Sequence, residues 1–283
     1  MTHNIILIIG TLIFAPIIGG FISGFDRVIT ARLQGRVGPP LLQPFYDIFK
    51  LFGKERIIVN RLQVVFVVLY LFFAALAMVL FMLKGDLIVI VFIMAIGGSC
   101  VVIGALSSRA PYSQIGAHRE IMQMLAYEPI LLLMAVAFYL STGGFTVQDV
   151  LSYDKPLLLE LPLVFIAVGI ALTIKMRKSP FDISASHHAH QEIVRGFLTD
   201  YSGPMLALIE IAHFFETVLV FGFLSLFWAT NWWISASFLV EMFLLELVID
   251  NIHARLTWQF MIKFTWVAGI GLSVINIAWL LFA

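Results

Sequence analysis

Residues 62–107 read LQVVFVVLYLFFAALAMVLFMLKGDLIVIVFIMAIGGSCVVIGALS. Two unbroken apolar runs, 62–83 and 86–107, meet at a corner where only Lys84 and Gly85 stand between them. A helix crossing a bilayer needs about 20 mostly apolar residues, and each run supplies that length. Neither run alternates apolar and polar residues at period two, as a barrel strand would. The stretch therefore predicts two membrane-crossing helices joined by a minimal turn.

The rest of the chain has the same pattern. Of 283 residues, 61% are hydrophobic and 12% charged, and the mean hydropathy is +1.02. Soluble domains run near one quarter charged, so the composition is that of an integral membrane protein. Eight stretches meet the length criterion: 5–25, 62–83, 86–107, 121–141, 157–176, 203–228, 233–250 and 260–282. The predicted fold class is all-α, with eight transmembrane helices in one transmembrane domain, 1–283. No Lys or Arg precedes the first apolar run, so that run is expected to be a retained span rather than a cleaved leader.

Charge predicts the orientation. Of the 17 Lys and Arg residues, only Lys84 and Lys155 fall in the even-numbered connections. The positive-inside rule then puts the odd connections in the cytoplasm and both termini outside the cell membrane. The long cytoplasmic connections, 26–61, 108–120 and 177–202, form the expected docking face. Zero formal net charge argues against bulk attraction to nucleic acid. With Cys100 as the single cysteine, the chain has no ligand set for an iron–sulfur cluster or a cysteine zinc site.

The first connection contains RLQGRVGPPLLQPFYDIFK, residues 32–50. Leu41, Leu42, Phe45, Ile48, Phe49 and Phe52 fall on one stripe of a helix, with Gln43, Asp47, Lys50 and Lys54 facing elsewhere. Pro44 suits the first turn and Gly53 the end. This is an interfacial amphipathic helix. Arg32 and Arg36 precede it on a segment stiffened by glycine and proline. With Asp47, Lys50, Arg119, Arg177 and Lys178 they are the candidate partner-docking residues, since arginine forms bidentate contacts with carboxylates.

Ionisable residues inside hydrocarbon are costly, so each marks a candidate site. Glu128 opens span four; Glu210, His213 and Glu216 share one broad face of span six; Glu241, Glu246 and Asp250 lie on span seven. Glu241 and Glu246 are roughly 140° apart around their helix and do not share a face. The connection feeding span six adds Asp182, Glu192 and Asp200. A row of desolvated carboxyls can pass protons and respond to nearby charge. His187, His188 and His190 lack the spacing of a helical metal pair and read as a solvated or partner-facing loop. No nucleophile elbow, phosphate loop or metal centre is recognisable, so no catalytic residue is assigned.

Three blocks carry a family resemblance. RLQGRVGPPLLQPFYDIFKLFGKE (32–55) resembles the first-loop signature of the H subunit of respiratory complex I and its hydrogenase relatives. SQIGAHREIMQMLAYEPILLL (113–133) is similar to the next block, with Arg119 and Glu128 on its arginine and glutamate. RKSPFDISASHHAHQEIVRGFLTDYSGPMLALIE (177–210) is similar to the fifth-loop block, with Ser179, Pro180, Phe181, Asp182, Glu192, Gly196, Tyr201 and Glu210 on family positions. The resemblance implies ion-path carboxylates at Glu128 and Glu210. Two departures from complex I, the short GPPLLQP passage and SASHHAHQE after Pro-Phe-Asp, look more like the membrane subunit of Ech-type energy-converting NiFe hydrogenases.

The resemblance implies a non-redox membrane subunit. Its partners would be a NiFe large subunit, an iron–sulfur small subunit with 4Fe–4S clusters and an antiporter-like membrane subunit. Electrons would pass from reduced ferredoxin to protons, coupled to export of H+ or Na+. The family's quinone chamber borders the loops that depart, which weakens a carry-over of quinone binding. The alternatives are the H subunit of a quinone-reducing complex I and, from another class, a free-standing secondary transporter. The chain shows none of the internal repeats common in such transporters.

Overall fold

A computed structural model describes residues 2–182, 184 and 195–282. Glu192, His187, His188 and His190 lie outside the described residues. The long helices are α1 (Thr2–Leu33), α3 (Arg61–Met82), α4 (Leu87–Leu106), α5 (Pro111–Thr142), α9 (Gly203–Ser225), α10 (Trp232–Ile252) and α11–α12 (Trp258–Phe264 and Gly271–Phe282, joined through a π-helical turn at Thr265–Ile270). Shorter elements are α2 (Gln43–Phe52), α6 (Val147–Leu151), α7 (Leu157–Glu160) and α8 (Pro162–Lys175). Among the described residues, seven helices are long and apolar enough to cross a membrane, and the protein is an all-α integral membrane protein.

The expected span 157–176 is two helical pieces rather than one continuous helix. It breaks at Leu161 (φ −124°, ψ 46°), because Pro162 has no N–H and disfavours helical backbone in the residue before it. The chain resumes as α8, 14 residues or about 21 Å long, against a hydrocarbon core of about 30 Å. Asn276 of α12 fills the break. Its side-chain oxygen accepts from the N–H groups of Leu163 (2.9 Å) and Val164 (3.3 Å), and its amide donates to Glu160 O (2.9 Å).

Two span edges also move. α1 continues to Leu33, and α5 begins at Pro111, so the expected loop 108–120 is largely helical and carries Arg119 and Glu120 on α5. Hydropathy marks the apolar part of a helix, whereas a helix continues until a breaker or cap stops it. Inside α5, Pro129 cannot bond to the carbonyl of Leu125. The indole N–H of Trp266 donates to that oxygen instead, at 3.2 Å.

The turn between α3 and α4 is as short as expected, with the Asp86 side chain capping α4 through Ile88 N and Val89 N. It pairs with the segment after α5 through Leu87 N to Phe145 O and Val147 N to Gly85 O. The odd-numbered connections gather at the opposite end. There Asn60 bonds to Ser107 O, Ser202 to Ile57 O, Ser113 to Phe197 O, Ser179 N to Asp250 and Leu256 N to Pro180 O. α2 is the amphipathic helix expected from its stripe. It lies on α1 and α9 because the GGFISG run of α1 offers no side chain there. A Cβ on Gly20 would meet the Phe45 ring at 2.5 Å, and one on Gly24 would meet Leu41 O at 2.2 Å.

Candidate functional site: a buried ion-pair fan at the end of α8

The C-terminus of α8 is where buried charge converges. Arg177 takes φ +52°, which turns the chain out of the helix and aims Lys175, Arg177 and Lys178 in different directions. Each finds a carboxylate on a different helix. Lys175 Nζ lies 3.0 Å from Glu216 Oε2 on α9 and 3.2 Å from the Tyr127 hydroxyl on α5. Tyr70 of α3 donates to the same Glu216 oxygen at 2.8 Å. The Arg177 guanidinium meets Glu120 at 3.0 Å and lies over the Phe197 ring at 4.7 Å. Lys178 Nζ reaches Asp26 of α1 at 2.7 Å.

A second layer surrounds the fan. The Ser184 hydroxyl bridges Glu120 and Gln123, and Gln123 donates to Phe181 O. Arg255 holds Asp182 through two bonds of 2.9 and 2.7 Å, and Ser179 N donates to Asp250 at 2.8 Å. Deeper in the bundle, Thr173 donates to Glu246 Oε1 at 2.9 Å. Glu128 Oε1, Glu216 Oε1 and Glu246 Oε2 are buried and have no hydrogen-bond partner among the described residues. A carboxyl oxygen with no donor already bound can take up a proton without breaking an existing bond. The three can therefore act as proton stations.

At the membrane surface the fan opens into a polar cavity of about 580 Å³. Arg36, Asp47, Arg177, Lys178, Asp182 and Asp250 are among the residues around it. A smaller cavity of about 180 Å³ joins Asp47 and Lys50 to Glu210 and Arg195, which pair at 3.4 Å. Burial would raise the Asp47 carboxyl, but hydrogen bonds from Arg27 (2.6 Å) and Gln43, with the charges of Arg27 and Lys50, hold it below the usual carboxylate range. Burial pushes the Tyr201 phenol up, and the neighbouring Asp200 adds to it.

The structure thus brings Arg36, Asp47, Arg177, Lys178 and Asp182 around one cavity, and Lys50 with Glu210 around its neighbour. Arg32, Arg36 and Lys50 are exposed; Arg119, Glu128, Asp200, Glu210 and His213 are half-buried; Glu216 and Glu246 are buried. Arg177 and Lys178 need correction as docking residues, because both charges turn inward to Glu120 and Asp26. Glu241 stands on the exposed face of α10, away from the fan. Glu120, Tyr70, Tyr127, Lys175, Asp26 and Arg255 were not read from the sequence as site residues. Only Lys175 left a signal, as a charge closing an apolar run.

A family model for NADH dehydrogenase matches residues 5–281. The chain belongs to the NADH dehydrogenase family, which includes the H subunit of complex I. Formate hydrogenlyase subunit 4 of Escherichia coli K12 is 31% identical, with 98% of each chain covered. The H subunit of NADH-quinone oxidoreductase from Thermomicrobium roseum is 29% identical over 75% of this chain and 74% of that one. Among solved structures, a chain of the membrane-bound sulfane sulfur reductase, an archaeal respiratory membrane complex, superposes with a TM-score of 0.87 at 25% identity. That match covers 98% of this chain and 99% of the other. These NADH dehydrogenase family relatives are subunits of multi-chain membrane oxidoreductase complexes, of both hydrogenase and quinone type. The family resemblance read from the three sequence blocks is thereby established.

Proposed function

We propose that this chain is the membrane-anchoring, ion-translocation-coupling subunit of an energy-converting NiFe hydrogenase of the Ech type. Its partners hold the NiFe centre and 4Fe–4S clusters, take electrons from reduced ferredoxin and reduce protons to dihydrogen. Docking uses three exposed residues on the face of the odd connections: Arg32 in the last turn of α1, Arg36 at the polar cavity, and Lys50 of α2 at the smaller one. The observation that carries the coupling is the continuity of charge from that cavity to Glu216 inside the bundle. A change of charge at the docked redox module acts first on Asp182, Asp26 and Lys178. Its effect passes to Arg177 and Lys175, which share one short segment, and so to the pairing of Glu216. Ion movement occurs when Lys175 shifts between Glu216 and its neighbours.

GPPLLQP and SASHHAHQE favour the hydrogenase reading. The second reading, the H subunit of a quinone-reducing complex I, is favoured by relatives of that name and by the size of the polar cavity. Purifying the native complex and identifying its companion chains separates the two. A NiFe large subunit supports the proposal; quinone-dependent electron uptake without one overturns it. For the coupling, Glu216→Gln and Glu210→Gln should each leave hydrogen–deuterium exchange at the NiFe site intact while ion transport into vesicles falls. An unchanged ratio of ions moved to dihydrogen made would overturn the coupling role of the residue changed.

A further inference from the structure

α10 is the least embedded of the long helices: 17% of its most apolar window is buried, against 67% for α9. Its exposed side chains Ser237, Val240, Glu241, Leu244, Leu245 and Val248 recur every three or four residues, so they form one continuous stripe. Glu241 is the only charge on it. From Glu241 it is about 14 Å along the axis to Trp232 and about 16 Å to Ile252. Trp232 and Trp233, exposed and stacked at 3.7 Å, mark one membrane surface. Glu241 therefore stands near the middle of a core about 30 Å thick, facing outward. Among the described residues no side chain is bonded to it.

We propose that this stripe seats a transmembrane helix of a companion membrane subunit, which brings a lysine or arginine to Glu241 at mid-membrane. A carboxylate facing lipid is strongly disfavoured, and the residues that tolerate such depth are paired within protein. The flanking Leu244, Leu245 and Val248 provide apolar packing, and Ser237 with Ala236 lets a neighbouring backbone approach closely. A second copy of this chain is the wrong occupant, because a twofold α10–α10 contact would bring two Glu241 carboxylates together. The inference rests on the chain working inside a membrane complex, and not on which redox module that complex carries.

The test uses the intact purified complex with a photoreactive phenylalanine in place of Leu245. Irradiation should join this chain to a second membrane subunit, through a transmembrane peptide of that subunit carrying Lys or Arg. A product joining two copies of this chain, or adducts with lipid alone, overturns the proposal. In parallel, Glu241→Lys should lower the copurified companion by about tenfold or more, since like charges would then meet. Glu241→Gln should retain more of it. Glu241 is exposed, so neither change disturbs the buried ion pairs, and the cross-link keeps Glu241 native. A companion retained at the wild-type level by Glu241→Lys also overturns the proposal. A cross-link of the expected kind in a complex lacking a NiFe subunit would leave this inference standing and remove only the hydrogenase reading.

Discussion

Lys175 is the residue on which the buried fan balances. It serves Glu216 and Tyr127 together, and its side chain is 8% exposed. Removing one partner of a buried ion pair typically costs about 3–5 kcal/mol, because the other charge is left uncompensated. Lys175→Met should lower the unfolding temperature of the detergent-solubilised chain strongly. The double variant Lys175→Met with Glu216→Gln should recover much of the loss, because it removes the stranded charge. Additive losses in thermal unfolding would show that the two do not act as a pair. The half-exposed Arg27–Asp47 pair is a smaller matter, worth about 0.2–1 kcal/mol. Its folded carboxyl titrates below the unfolded value, near 3.9. Its contribution is thus present above that value and disappears as pH falls through the folded one. The stability gap between wild type and Asp47→Asn should narrow as pH drops from 5 towards 3, and a gap that widens would contradict the sign.

At the level of elements, the break before α8 depends on one side chain from the far end of the chain. Without Asn276 the N–H groups of Leu163 and Val164 and the carbonyl of Glu160 lose their partners inside the bundle. Leaving buried backbone groups unsatisfied costs about 1–3 kcal/mol each. Asn276→Leu should therefore destabilise the chain by several times what Asn276→Asp does, measured by thermal unfolding. Asp in its neutral form keeps the acceptor for both N–H groups and a hydroxyl that can donate to Glu160 O. Equal losses would mean that Asn276 acts by volume alone. Trp266 has the corresponding role for Pro129, and Trp266→Phe should cost about 1 kcal/mol by removing the donor to Leu125 O.

For the whole molecule, the gathering of the odd connections at one end turns the charge bias into a statement about sides. If the basic end faces the cytoplasm, a cysteine at Lys155 should react with a membrane-impermeant maleimide in intact cells. A cysteine at Val37, which is 82% exposed, should react only after permeabilisation. Both are made in a chain expressed without companions, with the native Cys100 buried as an internal control. The reverse pattern would put the basic face outside.

Much of this architecture was written in local composition. Apolar runs of sufficient length became helices, the alternation of faces after Pro40 became α2, and three sequence blocks announced the family, because each of these properties is summed over a short window. The edges of α1 and α5 escaped that reading because a helix does not stop where its hydropathy does. Only the tertiary structure decided which charges lie inside and with whom. Lys178 and Asp26 are 152 residues apart, and Tyr70 and Glu216 are 146, so no window contains both partners. The same packing turned Arg177 and Lys178 inward, left Glu246 buried and Glu241 bare on one helix, and supplied Asn276 to a break it does not adjoin. A charge on a helix is placed by the neighbour that its helix packs against, and that neighbour is chosen by the fold.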